Sequence, residues 1–335
     1  MKLSVIIPYY NSEKYIYPLL ESLLDQGFQK DEYEIIVVDD GSPNDVSRLR
    51  EFCDKSDTIK YVRQENGRQS KARNNGISKA TGEYLYFCDS DDCIRKDVLS
   101  RICDIASQNE LDILYFNRVI VKEKELPPPA HNNFELTNIV TGQEYFGSKP
   151  DMSTGVGHYF IRNDFVSNNK ILFPENILSV EDTSFTIDSL ISAKRVAYVD
   201  VDVYYWIQHP ESISHYEGKK KMAEQYNHNK LWFVEKYSKI LKEDLVFNEA
   251  CRYSIWHHIE IISFSMLHNS LRYLPISKSK ELTHSLRTLG CYPFGKYLTY
   301  GWKFMTIVRI MNCYPLWMFC CGLFSVLPKS IKQKL

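Results

Sequence analysis

No GxGxxG follows the first apolar segment of this sequence, and GxxxxGK[ST] occurs nowhere in it. A dinucleotide dehydrogenase and a P-loop phosphotransferase are therefore poorly supported, and phosphate would have to be held by a metal or by side chains. The nine cysteines contain no CxxC pair, and only Cys320 and Cys321 are adjacent. An odd count without framework spacing argues against a zinc site or a disulfide scaffold and for reduced thiols in a cytosolic compartment. Net charge is −1, which offers no global case for nucleic acid as a partner. The apolar run in MKLSVIIPYYNSEKY is too short for a signal peptide and serves better as a first strand. Internal repeats and low-complexity tracts are also missing. What is present is a chain of 335 residues, 44% hydrophobic, long enough for a sizeable core and more than one compact unit.

The stretch Gly82–Asp92, GEYLYFCDSDD, organises the rest. Its aromatic and aliphatic residues suit a largely buried strand over Glu83–Cys88. The strand ends in three carboxylates, Asp89, Asp91 and Asp92, which repel unless something cationic sits between them. A hard divalent cation is the usual resolution, since Mg2+ or Mn2+ prefers carboxylate oxygen and shares itself with substrate phosphates. A solvated acidic turn is the plainer alternative.

The first hundred residues alternate. Strands are expected at Leu3–Pro8, Glu34–Val38, Ile59–Val62, Glu83–Cys88 and Asp112–Phe116. Helices are expected at Ser12–Gln26, with Ser12 as N-cap and Gly27 as terminator, and at Pro43–Lys55, Arg68–Ala80 and Lys96–Ser107. This order predicts an α/β fold, a mostly parallel sheet with helices on both faces. Polar clusters then fall at strand ends: Asp39-Asp40, Asn66-Gly67-Arg68 and the acidic triplet. Carboxyl ends of parallel strands share one edge, so these clusters should converge.

Taken together, SVIIPYYNSEKYI, EIIVVDDGSPNDV, NGRQSKARNNGI and GEYLYFCDSDD, in that order and spacing, resemble family 2 inverting glycosyltransferases of the GT-A fold. The resemblance covers roughly the first 120 residues and resumes in ILFPENILSVEDTSF, which is similar to the family's acidic motif before a helix. It implies that Pro8 and Tyr10 line a nucleotide base pocket, that Asp40 hydrogen-bonds the base, and that Asp89 contacts the ribose or metal. It further implies that Asp91 binds a metal bridging the diphosphate, and that Asp182, beside Glu181, is the catalytic base. Arg68 and Arg73 fall in the segment that approaches the nucleotide or diphosphate. Inverting transfer needs a base for the acceptor hydroxyl and an electrophile for the leaving diphosphate, which a carboxylate and a metal ion supply. Asp182 also precedes an apolar helix with Phe185, Ile187 and Leu190, so it suits an N-cap or first-turn acid, and the two roles are compatible.

Three organisational segments follow: residues 1–120 as the nucleotide-sugar-binding half, 121–217 as the acceptor-binding half with the base, and 218–335 as a helical region. Pro127–Pro129 make a stiff connection between the halves. GVGHYFIR stands where relatives carry a Trp-Asn-Lys type sequence, with His158 structural or acceptor-facing rather than a metal ligand. After a strand at Val196–Val203, Tyr204, Tyr205 and Trp206 offer faces for a sugar or belong to the core. Gln208 and His209 replace the Arg that relatives often carry, so a cationic contact to the diphosphate is not assured. Helical stripes run through Met222, Tyr226, Phe233, Tyr237 and Ile240, and through Ile255, Ile259, Ile262 and Met266. His257 and His258 are adjacent, so they point apart and do not suit a paired metal site.

The resulting expectation is a metal-dependent glycosyltransferase with Mg2+ or Mn2+, taking a nucleotide-sugar donor, UDP-linked by family habit, and a carbohydrate or lipid-linked glycan acceptor in surface-polysaccharide synthesis. A nucleotidyltransferase that makes nucleotide sugars is the alternative, and it wants a glycine-rich basic loop where Pro8-Tyr9-Tyr10-Asn11 stands. A binding module without catalysis would not need both acidic motifs. Beyond Glu281 there is no acidic residue, while Cys313–Leu327 is uncharged and rich in aromatics. Fifteen residues are short for a span that needs about 20. The tail therefore suits a segment lying on a membrane surface, which would place a cytoplasmic enzyme peripherally on the inner face of the plasma membrane; core completion or a dimer contact is the competing role.

Overall fold

Two seven-residue strands with no exposed position open the chain, β1 (Leu3–Tyr9) and β2 (Tyr33–Asp39). Only a strand covered on both faces is buried at every position, and here helices cover both. In the computed structural model, residues 1–29, 31–123, 125, 127–128, 130–209, 219–243, 247–295 and 302–326 are described. The expected connection at Pro127–Pro129 and the end of the Cys313–Leu327 tail lie partly outside them.

Between and after β1 and β2 come α1 (Glu13–Leu23), α2 (Ser47–Asp54), β3 (Ile59–Arg63), α3 (Arg68–Lys79), β4 (Tyr84–Phe87), β5 (Cys93–Ile94), α4 (Leu99–Gln108) and β6 (Ile113–Lys122). Then follow β7 (Asn132–Asn133), α5 (Gly142–Ser148), β8 (Tyr159–Arg162), α6 (Asn163–Asn168), α7 (Glu181–Ser192) and β9 (Val196–Gln208). The remaining elements are helices: α8 (Lys219–Glu243), α9 (Glu249–Tyr273), α10 (Ile276–Leu289), α11 (Trp302–Asn312) and α12 (Tyr314–Val326). Two compact units result. The first holds Met1–Tyr145, Ser153–Ile177 and Glu181–His215; the second holds Phe146–Met152, Leu178–Val180 and Tyr216–Leu335.

In the first unit the strand order is β3-β2-β1-β4-β8-β6-β9-β5, with β7 on β9. β3, β2, β1 and β4 are parallel throughout, which brings their carboxyl ends to one edge. The rest is mixed, because the short β8 runs antiparallel to both β4 and β6. Residues 121–217 thus add β8 and β9 to the same sheet that residues 1–120 begin. One face carries Val5, Ile7, Ile35 and Val37 against Leu19 and Leu23 of α1, Leu49 of α2 and Ile102 of α4. On the other face Ile36 and Val38 meet Ala72 of α3, and Phe87 meets Phe185 of α7 at 5.6 Å between ring centroids. Gly76 permits that approach, since a Cβ there would lie 2.3 Å from Ile6.

Local departures from expectation have local causes. Ser12 stands at the N-cap of α1, but its hydroxyl donates to the Tyr10 carbonyl and makes no cap hydrogen bond. The helix ends at Leu23 with Leu24 as C-cap, ahead of Gly27, whose φ of +72° serves the following turn. α2 starts four residues late, at Ser47, where the Asp45 carboxylate accepts from the Ser47 amide at 2.9 Å. β6 and β9 outrun their expected ends because they pair in parallel from Ile113↔Val196 to Lys122↔Gln208, across an irregularity at Tyr115–Arg118.

Within the second unit, Phe233 and Tyr237 of α8 and Ile255, Ile259 and Met266 of α9 are fully buried. His257 meets Asp151 at 2.7 Å, whereas His258 meets the Ser254 carbonyl at 3.0 Å, so the adjacent histidines do face different partners.

Gly157 ties this framework to the site. A Cβ there would lie 2.6 Å from the Tyr204 ring, on β9. Gly157→Ala should lower stability by about 1–3 kcal/mol through overpacking. A shift of the urea unfolding midpoint would report it; an unchanged midpoint would mean that the Tyr204 ring moves aside freely.

Candidate functional site

The carboxyl ends of β1, β2 and β4, the N-termini of α3 and α7, and the end of β9 carry the polar residues. Asp40, buried just after β2, accepts from the Gly67 amide (2.8 Å), the Gln64 side-chain amide (2.7 Å) and the Arg68 amide (2.7 Å). A carboxylate there complements the positive end of α3. It also holds Arg68, the exposed first residue of α3, at a φ of +71°. A hydrogen bond donated by a base to Asp40 would thus be accepted in addition to three internal ones. Pro8 is buried in β1 opposite Val38, and Tyr10 just beyond it is 49% exposed.

Arg73 is the centre of the arrangement. It is fully buried, yet one guanidinium nitrogen donates to Asp89 at 2.8 Å and another to Asp182 at 2.6 Å. Phe173 lies beneath it, 5.0 Å from ring centroid to guanidinium carbon. Burial opposes the charge, but Asp182, Asp89 and Glu181 outweigh burial and hold Arg73 protonated beyond its ordinary range. Asp89 also accepts from the Gln69 side chain at 2.8 Å. Three elements that the chain keeps apart are thereby joined: α3, the end of β4 and the start of α7.

Each member of the acidic triplet has its own protein partner. Asp91 meets the imidazole of His209 at 2.9 Å, and His209 is stacked on Tyr15 at 4.4 Å. Burial and the neighbouring Asp89 raise the Asp91 carboxyl above its usual range. Asp92 accepts from the Tyr204 hydroxyl and from the Ile207 amide, the latter at 2.8 Å. Burial first, then Asp89 and Asp91, push Asp92 up to about 8. Asp92 is thus a brace between β4 and β9. Tyr204, offered by the sequence as a face for sugar, is buried core, while Tyr205 and Trp206 are half-buried.

Glu181 and Asp182 are the first two residues of α7, so Asp182 is a first-turn acid that also pairs with Arg73. Its side chain keeps 30% of its surface open. Burial raises its carboxyl, and Arg73 opposes the rise. Glu181 is driven up to about 7 by burial and by the charge of Asp182. A half-open carboxylate whose pKa burial raises is a better proton acceptor than a free one, which suits Asp182 to that role.

Two residues escaped the sequence argument. Arg118 of β6 sits 4.8 Å above the Trp206 ring, and its charge lowers the Asp182 carboxyl. A lone cation inside the strand ILYFNRVIV was the available signal. His209 supplies the imidazole that faces Asp91, at the position where only a missing Arg had been noted. His158 is buried, and burial with the nearby Arg118 drives it down to about 3, so it is a neutral core residue.

Among the described residues, no group of three or more His, Cys, Asp and Glu could hold a metal ion by itself. A hard cation that shares substrate phosphates needs only one or two carboxylates. Asp91, 34% exposed, and Asp89, 39% exposed, are a donor set of that kind.

An α/β sheet with acidic and basic groups gathered at strand ends is the arrangement that the resemblance to GT-A transferases implies. The sequence model described as "Glycosyl transferase family 2" matches residues 4–169, and the chain belongs to this family. It is 29% identical over 307 residues to the uncharacterized glycosyltransferase EpsJ of Bacillus subtilis, covering 83% of this chain and 88% of EpsJ. It is 32% identical over 210 residues to the poly(ribitol-phosphate) beta-N-acetylglucosaminyltransferase TarS of Staphylococcus aureus, covering 62% of this chain but only 35% of TarS. Among solved structures, residues 1–349 of S. aureus TarS in complex with UDP match with a TM-score of 0.55 at 25% identity, over 87% of this chain and 89% of that one. The same TarS fragment with UDP-GlcNAc shares the fold at a TM-score of 0.56 and 24% identity. The chain is a glycosyltransferase.

Arg73→Gln should leave Asp89 and Asp182 facing each other without their cation. The Asp182 carboxyl should then titrate at higher pH, read by carbon NMR of the labelled carboxyl, and stability should fall by on the order of 3 kcal/mol. An unmoved titration would show that Arg73 does not govern this carboxylate.

Proposed function

We propose that the protein transfers a sugar, with inversion, from a UDP-linked donor to a hydroxyl of a carbohydrate or lipid-linked glycan in surface-polysaccharide synthesis. The observation that carries the proposal is the Asp89–Arg73–Asp182 bridge, with contacts of 2.8 and 2.6 Å. It sets the carboxylate suited to deprotonate an acceptor beside the acidic end of β4, where the resemblance assigns ribose and diphosphate. The UDP and UDP-GlcNAc in the TarS structures support a nucleotide-sugar donor of this kind.

In this mechanism Asp182 takes the proton of the acceptor hydroxyl as the hydroxyl oxygen attacks the anomeric carbon. The bond to the diphosphate breaks, and its electron pair leaves with the nucleoside diphosphate. Arg73 orients Asp182 and stabilises its ionised form. Asp91, with Asp89, would hold Mg2+ or Mn2+, which would supply Lewis-acid stabilisation of the leaving diphosphate. Asp40 fixes the start of α3 and thus the register of Gln69 and Arg73. Pro8 and Tyr10 would border the base.

Asp182→Asn should lower kcat by about 10²–10⁴-fold while donor affinity stays within a few-fold, because only the proton's destination is lost. A parallel loss of donor binding would make Asp182 structural. Asp91→Ala, or excess EDTA on the wild type, should remove most of the transfer, with nucleoside diphosphate as the product that the assay follows. Full activity under either condition would refute the metal role, and release of pyrophosphate instead would indicate nucleotidyl transfer.

A further inference from the structure

The helical unit carries an apolar surface that the reaction above does not use. On α12, Trp317 and Cys321 turn inward and are 2% and 4% exposed, as are Val308 and Met311 of α11 at 1% each. Asn312 fastens the turn between the two helices by exchanging hydrogen bonds of 2.7 Å with the Phe294 amide and carbonyl. Leu316, Phe319 and Leu323 nevertheless point outward, at 42%, 62% and 51% exposure, with Ile307 of α11 at 45%. Spacings of three and four residues put the α12 trio on one helix face.

Two further observations decide what covers that face. Residues 282–335 contain seven Lys and Arg and no Asp or Glu. Among them Arg309 is exposed on α11, and Arg287 of α10 lies 4.3 Å from the Tyr314 ring, at the start of α12. A second copy of the chain is a poor occupant, because a two-fold interface would set this segment, which carries cations and no acid, against itself. Crossing a bilayer is also poorly served. Among the described residues no single helix is long and apolar enough, and Met305–Asn312 with Tyr314–Leu323 reach the length only together, bent by 101°.

We infer that the α11–α12 pair docks on an anionic lipid bilayer, with Leu316, Phe319 and Leu323 entering the acyl boundary and Arg287 and Arg309 meeting headgroup phosphates. Apolar burial and electrostatic attraction then act together, each too weak alone for firm binding. The inference is independent of the reaction proposed above.

The test is flotation of the full chain with vesicles of phosphatidylcholine alone or with added phosphatidylglycerol. Wild-type protein should bind the anionic vesicles at least tenfold more tightly, and lose binding as salt rises. Phe319→Glu with Leu323→Glu should weaken binding by roughly tenfold or more, the equivalent of about 1.4 kcal/mol. Phe319→Ser with Leu323→Ser provides the same comparison should the charged pair disturb folding, which circular dichroism would reveal. Phe319→Trp should show blue-shifted emission only with anionic vesicles. Failure of the wild type to bind either vesicle, or unchanged binding by folded stripe variants, would overturn the inference. So would a dimer in light scattering that the stripe variants split while vesicles are ignored.

Discussion

A guanidinium buried away from water is costly unless charge and hydrogen bonds compensate it, and Arg73 is buried completely. Its two compensating carboxylates lie 16 and 109 residues away in sequence. The first unit therefore depends on three elements arriving together. α3 must pack closely on the sheet, which Gly76 allows against Ile6. β4 must end where Asp89 can turn back, and α7 must begin with Asp182 facing α3. Beneath the cation, Phe173 and Phe185 stack at 4.0 Å, closing the apolar side of the bridge. The remaining side is open enough for both carboxylates to keep roughly a third of their surfaces in contact with water. A cation held this way organises two acids of different function without itself being spent on substrate.

The same economy governs the acidic triplet. Three carboxylates within four residues repel, and the fold answers with three separate partners: Arg73 for Asp89, His209 for Asp91 and Tyr204 for Asp92. Depth then differentiates them. Asp92 is 4% exposed and its carboxyl is pushed up to about 8, so neutrality is its easiest state and bracing its role. Asp91 and Asp89 remain half-open, and they are the two that a divalent cation with its phosphates would engage. One short segment thus carries both a buried bracing acid and two half-open carboxylates, because burial alternates along it from Cys88 to Asp92.

Legibility in the sequence followed the same physics. The segments Leu3–Pro8, Glu34–Val38 and Glu83–Cys88 announced parallel strands covered on both faces, and once parallel order was inferred the convergence of their polar ends followed from topology. What stayed hidden was polar residues that satisfy one another. Asn117 of β6 donates to Asp200 and Asp202 of β9 at 2.8 and 2.9 Å, so both strands continue through positions that look like loop. Arg118 and His209 were hidden for a related reason. Arg118 acts on Asp182 through its charge and His209 pairs with Asp91, both from distant segments, and no local pattern encodes such long-range electrostatics.

In the helical unit the element type was legible and the faces were less so. α9 buries Ser254, His257, His258, Glu260, Ser263 and Ser270 along with its isoleucines, which blurs the contrast between its sides. Several of these groups are tolerated because a backbone carbonyl takes up their hydrogen bond. Ser270 donates to the Leu267 carbonyl at 2.7 Å, and Ser254 donates to the Phe146 carbonyl at 2.8 Å. A hydroxyl bonded to its own or a neighbouring backbone costs little in the interior, and it is small enough for helices to pack closely over it. Burial in this unit is accordingly set by side-chain size as much as by polarity. That is why apolar periodicity alone identified the Ile255–Met266 stripe but missed the inward-facing Ser254, Ser263 and Ser270 of the same helix.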